Sequence, residues 1–237
     1  MKVGYDLAVW KELNIKLPIN IPLIEYLHFL LIGATNSGKT YALLYLLLQA
    51  TKEPNTVIWF LDVKGEFKSF SEYSRYFSAN DIVKAIEDFY ALYTSIRKGV
   101  VKNNKVNILV IEEYANLISC LTTIDKKVSE KVTRYISEIL MTGRGLSFGI
   151  WVVTQRPDAN LFIGGARLNF LAIYGLGRLT KEQKQMVFNC SLPDAIYKKG
   201  EGLFLADGRG IQEIKFPLLN DNIKNMVKTA LMSIDNR

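Results

Sequence analysis

The chain has 237 residues, 49% of them apolar and 22% charged, with a formal net charge of +7. Those proportions suit a soluble globular protein with a large buried core, and they exclude a disordered or collagen-like chain. No stretch is long and uncharged enough for a membrane-spanning helix, and Met1 to Asp6 lacks the apolar run of a signal peptide, so a cytoplasmic setting is expected. Two cysteines, Cys120 and Cys190, lie far apart without metal-ligand spacing and fit a reducing compartment. The basic balance favours a polyanionic partner.

Residues 1–28 mix apolar and polar residues around Pro18 and Pro22. Short strands are expected over Tyr5 to Trp10 and Ile15 to Leu17, as a lead-in to the core. His28, the only histidine, reads as a hydrogen-bonded packing residue. Phe29 to Ile32 is an apolar run of the kind that forms a buried parallel strand. Gly33 to Thr40 then reads GATNSGKT and fits G-x-x-x-x-G-K-[ST], followed by an apolar helix over Tyr41 to Leu48. Strand, glycine-bounded loop and helix together predict a phosphate-binding P-loop.

After a turn at Lys52 to Asn55, Val57 to Leu61 is a second strand, ending in Asp62, Val63, Lys64, Gly65 and Glu66. Ser69 to Ala79 reads as irregular. Asn80 or Asp81 is expected to cap a helix whose apolar positions Ile82, Ile86, Phe89, Tyr93 and Ile96 recur at three and four residues. Val106 to Ile111 is a third strand, followed by Glu112 and Glu113. Asp125 is expected to cap a long amphipathic helix through Met141, stopped by Gly143, Arg144 and Gly145. Ile150 to Val153 and Phe170 to Tyr174 are further strands, the first running into Thr154, Gln155, Arg156 and Pro157. Thr180 caps a helix from Lys181 to Phe188. Leu203 to Ala206 and Gln212 to Phe216 flank Asp207 and Gly208, a hairpin signal. Asp221 starts a last helix to Ile234. The alternation of strands and helices predicts an α/β fold with a largely parallel sheet flanked by helices and a C-terminal β-hairpin. One domain is expected over 1–237, with the lead-in at 1–28, the core at 29–217 and the C-terminal helix at 218–237.

The chemistry follows from the strand ends. In a P-loop the backbone N–H groups of Gly33, Ala34, Thr35, Asn36, Ser37, Gly38, Lys39, Thr40 and Tyr41 surround an anion, helped by the helix N-terminus. Lys39 would reach the β- and γ-phosphates of ATP, and the Thr40 hydroxyl would hold Mg²⁺. Glu112 would stabilise the same Mg²⁺ through its water shell, and Glu113 would polarise the attacking water. The first of these two acids is commonly aspartate, so glutamate is a departure. Gln155, at the end of the next strand, can sense the γ-phosphate.

Three segments, LHFLLIGATNSGKT, NILVIEEYANL and GRGLSFGIWVVTQRP, with the GLFLADGRG hairpin downstream, run in one order over about residues 26–217. In this the chain resembles the motor domain of the FtsK/SpoIIIE family in the FtsK–HerA superfamily of P-loop ATPases. The run Asp62 to Glu66 also resembles the conjugation coupling proteins, a sister branch. The resemblance implies a RecA-like fold and a homo-hexameric ring, with ATP between subunits, that drives DNA along a channel. It implies that Arg144 is an arginine finger acting on the neighbour's γ-phosphate and that Gln155 is the sensor glutamine. Arg156 and Arg167 fall in the region that faces DNA, duplex by preference.

The family's membrane segments and winged-helix module have no counterpart in the sequence, and the segment from Phe170 diverges. The expected activity is therefore ATP-dependent DNA translocation for a plasmid, virus or other mobile element. One alternative is a conjugative coupling or genome-packaging ATPase. Another is a P-loop scaffold that binds nucleotide without pumping.

Overall fold

The computed structural model describes residues 1–188, 192, 195–218, 220 and 222–235. Ten strands form one sheet: β1 (Lys2–Asp6), β2 (Pro18–Asn20), β3 (Phe29–Gly33), β4 (Thr56–Asp62), β5 (Tyr76–Ser78), β6 (Val106–Glu112), β7 (Phe148–Thr154), β8 (Ala172–Leu176), β9 (Glu201–Ala206) and β10 (Gly210–Lys215). Seven helices accompany them among the described residues: α1 (Leu7–Leu13), α2 (Lys39–Ala50), α3 (Asp81–Arg97), α4 (Tyr114–Ile124), α5 (Lys126–Thr142), α6 (Lys181–Phe188) and α7 (Ile223–Asp235). The strand order is β2-β1-β10-β9-β8-β3-β7-β6-β4-β5. From β8 to β5 every pairing is parallel, and from β8 back to β2 every pairing is antiparallel.

The strand carrying the P-loop lies inside this sheet, buried along its whole length between β7 and β8. Successive side chains alternate between two cores, as the period of a strand requires. Phe29 and Leu31 join a cluster with α2 and α7, whereas Leu30 and Ile32 join one with α3 and α5. Phe29 stacks on its cross-strand neighbour Trp151, ring centroids 4.3 Å apart. Helix α2 is apolar around most of its circumference because α7 covers the side turned away from the sheet. This core holds the start of α2 firmly, a requirement for a loop that must bind through its backbone.

Several local expectations hold at atomic detail. The Asp125 carboxylate accepts from Lys127 N at 2.8 Å and Val128 N at 3.4 Å. Thr180 and Gln183 form a reciprocal capping box at 3.0 and 3.2 Å. His28 is buried, and its Nδ1 accepts from Ile150 N at 3.1 Å. Burial holds its pKa down at about 3, so the ring is neutral.

Other expectations are corrected. The segment Tyr5 to Trp10 is strand only at Tyr5 and Asp6: β1 ends at Asp6, whose carboxylate accepts from Val9 N at 2.9 Å and starts α1. A capping side chain at that position outweighs strand propensity. Ile15 to Leu17 is not a strand either. The edge strand β2 begins one residue later at Pro18, where a missing N–H costs no ladder bond. The stretch Ser69 to Ala79 contains β5, paired parallel with β4. Asn80 makes no side-chain cap to α3. The fifth expected strand is shifted, since β8 spans Ala172–Leu176. The lead-in joins the sheet, with β1 antiparallel to β10. Cys190 and Asp221 lie outside the described residues.

Candidate nucleotide site

Four strands of the parallel half, β3, β4, β6 and β7, end around one cleft of about 150 Å³. Ligands of parallel sheets collect at such carboxyl ends. Thr35, Asn36, Lys39 and Thr40 line it from the P-loop, Glu112 and Glu113 from the end of β6, and Gln155 from the end of β7. Gly33 and Gly38 are required sterically. A Cβ on Gly33 would stand 2.5 Å from Ser37 Oγ. Gly38 has φ +101°, and a Cβ there would stand 2.6 Å from Gly200 N. Asn36 also adopts a left-handed conformation, which asparagine tolerates. Tyr41 begins to leave the cleft; it is 37% exposed, with Lys199 Nζ 5.1 Å from its ring centroid.

The Lys39 ammonium donates to the carbonyls of Gly33 at 2.7 Å and Ala34 at 3.0 Å. Burial lowers its pKa, opposed by the charges of Glu113 and Glu112. Lys39→Ala is expected to weaken ATP binding by about a hundredfold, through loss of charge-assisted contacts to the phosphates. Titration with a fluorescent ATP analogue measures this, and unchanged affinity would remove the basis of the P-loop assignment.

The two glutamates differ. Glu112 Oε2 is buried without a hydrogen-bond partner. Its pKa is pushed up to about 7, first by burial and then by the charge of Glu113. A buried carboxylate oxygen with no partner, in a cleft that Thr40 also lines, fits a divalent cation. Among the described residues no group of three acids, histidines or cysteines could hold one unaided, so phosphate and water would complete its shell. When bound, Mg²⁺ would neutralise charge on the phosphates. Glu113 sits at the N-terminus of α4 with φ 58° and ψ 55°, a left-handed backbone that costs a non-glycine residue roughly 1–2 kcal/mol. Its carboxylate pairs with Lys64, Nζ to Oε1 3.1 Å.

The three remaining residues expected at the site, Arg144, Arg156 and Arg167, do not line this cleft. Arg144 is exposed in the turn before β7, beside Glu25, Tyr26 and Asp207. Arg156 follows Gln155, with 73% of its side chain exposed and Asp158 4.0 Å away. Arg167 lies on the same loop, and its Nη1 donates to the Pro157 carbonyl at 2.9 Å.

Two features escaped the sequence reading. Lys64 and Glu66 line the cleft from the loop after β4. Their run of residues was visible, but nothing in it assigned a role. The Gly200 N–H donates to the Ser37 carbonyl at 2.9 Å, so a turn far along the chain braces the P-loop. No local signal marks that contact.

The sequence profile of the family described as "Helicase HerA, central domain" matches residues 5–187. No curated protein matches the chain. Among solved structures, the pCW3 conjugation coupling protein TcpA, a monomer with ATPγS, is 23% identical with a TM-score of 0.68, over 92% of this chain and 67% of that one. ATPases 2 and 3 of EssC from Geobacillus thermodenitrificans are 12% identical with a TM-score of 0.70, over 100% and 48%. The genome-packaging NTPase B204 of Sulfolobus turreted icosahedral virus 2, with AMPPCP, is 18% identical with a TM-score of 0.54, over 80% and 97%. At these identities the likeness establishes the fold, and the chain spans under half of EssC. The profile covers well over half of the chain, and together with the cleft it closes the question of family: the chain belongs to the HerA helicase central-domain family, as a P-loop ATPase of the FtsK–HerA superfamily.

Proposed function

We propose that this domain is a DNA translocase in which a ring of copies, most simply a hexamer in the cytoplasm, couples ATP hydrolysis to movement along duplex DNA. The position of Arg144 carries the reading. Strand β7 has seven residues, with Arg144 before its start and Gln155 after its end. At about 3.3 Å per residue, some 20 Å separate the arginine from the cleft of its own chain. No carboxylate among the described residues forms an ion pair with Arg144. An exposed cation on the opposite rim of the sheet suits the phosphates of an adjacent copy. In this reading residues 1–237 act as one motor unit. Lys39 and the loop amides hold the phosphates, Thr40 and Glu112 hold Mg²⁺, Glu113 orients water, Gln155 senses the γ-phosphate, and Arg156 and Arg167 contact DNA. Among the described residues no helix is long and apolar enough to cross a membrane.

A second setting keeps the motor and changes its task. TcpA is named a conjugation coupling protein and B204 a genome-packaging NTPase, which favours transfer or packaging of a mobile genome. The scaffold alternative is disfavoured, because a module that only binds nucleotide needs neither Glu113 nor a free Arg144.

The test is ATP hydrolysis without DNA, with single-stranded DNA and with duplex DNA. Duplex is expected to stimulate most, and single-strand preference would point to transfer. DNA binding is expected to be nearly blind to sequence, falling at least about tenfold from about 50 to 200 mM salt. Absence of both stimulation and salt dependence would sink the translocase reading.

A further inference from the structure

The ion pair between Lys64 and Glu113 raises a question of charge inside the cleft. Lys64 comes from a loop with a fixed stem. Buried Asp62 accepts from Glu66 N at 3.0 Å, Phe67 N at 2.8 Å and the Tyr76 hydroxyl at 2.7 Å. The loop therefore returns to the same place, with the Lys64 ammonium carried at the end of a flexible side chain. Of the two partners, Glu113 is the immobile one: its side chain is 7% exposed, and its backbone is held left-handed at the start of α4. Lys64 is 33% exposed on a flexible four-carbon stem. Lys39 and Lys64 both reach the cleft that Glu66, Glu112 and Glu113 line. One of those lysines is already turned onto the loop carbonyls that phosphate contacts would replace.

A carboxylate paired to an ammonium has one oxygen engaged and its charge compensated, which makes it a poor acceptor for a water proton. A γ-phosphate carries more charge than a single carboxylate and competes for the ammonium. We propose that Lys64 exchanges Glu113 for the γ-phosphate when ATP enters, so that one lysine both binds the terminal phosphate and releases the carboxylate to orient water. The consequence of release rests on the reading of Glu113 given above; the phosphate contact does not. Lys64 is thus a substrate ligand that also positions Glu113.

The contact is specific to the third phosphate, so ADP should not form it. The test is equilibrium titration of the full chain with AMPPCP and with ADP, in the presence of Mg²⁺. Lys64→Met is expected to weaken AMPPCP by about tenfold while ADP stays within about twofold, the loss of one charge-assisted contact. Lys64→Arg is expected to return AMPPCP to within about threefold, because the cation is kept. Retained ADP affinity shows that the variant is folded. Equal weakening of both nucleotides would mean that Lys64 only supports the loop, and no weakening of either would mean a static ion pair. Either result overturns the exchange. No turnover is measured here, so the outcome is separable from that of Glu113, which hydrolysis decides.

Discussion

Arg144→Ala subunits are expected to bind ATP with near-normal affinity and to hydrolyse it roughly 10³- to 10⁵-fold more slowly, the range by which a trans arginine finger accelerates other P-loop enzymes. On the proposed reading the effect falls on rate, because the guanidinium would meet charge that develops in the transition state. A cation on the far rim of the sheet adds little to ground-state binding in its own cleft. Mixing distinguishes this from general damage. Glu113→Gln subunits would carry an intact finger and a dead cleft, whereas Arg144→Ala subunits would carry an intact cleft and no finger. Assembled together, they are expected to regain activity wherever an Arg144→Ala cleft faces a Glu113→Gln neighbour. Were Arg144 to act within its own chain, every cleft in the mixture would remain defective. No recovery in rings shown to contain both variants would exclude the trans role.

Glu113→Gln alone is expected to retain ATP and lose roughly 10² to 10⁴ in hydrolysis rate, the contribution of a positioned base. The amide keeps the shape of the side chain, so the left-handed start of α4 is undisturbed. It removes the charge proposed to polarise water and also the charged partner of Lys64. Quenched-flow measurement of a single turnover reads the chemical step directly. A single-turnover rate within threefold of the parent would assign the base to another group.

The parts of this site legible in sequence were those in which one local geometry demands particular residue types. Gly33 and Gly38 are visible because no side chain fits at either position. Glu112 and Glu113 are visible because the apolar run Ile108 to Ile111 delivers them to the carboxyl end of a parallel strand. Asp125 and Thr180 announce helix starts through bonds to amides two or three residues away. The fold class and the hairpin followed from alternation and from the turn at Asp207 and Gly208. What stayed hidden depends on distance along the chain. The capping bond of Asp6 is local, yet the apolar residues after it carry strand and helix signals alike. Lys64 gains meaning only when β4 and β6 lie side by side, and Gly200 only when it meets Ser37. Arg144 stood in a recognisable segment, but its separation from the cleft by the length of β7 needed coordinates.

The sheet's strand order also dictates when the nucleotide cradle can exist during synthesis. Strand β3 leaves the ribosome before most of the sheet, and its two neighbours are β7 and β8. About 115 residues separate the end of β3 from the start of β7, which at a synthesis rate of about 5–20 residues per second is roughly 6–23 seconds. Over that interval the apolar run Phe29 to Ile32 has no sheet to enter and must be shielded from other chains. Strand β1 can pair early with β2, but its other neighbour, β10, comes later still. Long-range closure of this kind slows folding, because loop entropy is lost before pairing compensates it. ATP therefore cannot stabilise the nascent polypeptide through this cradle until β7 and β8 have been made and have paired with β3.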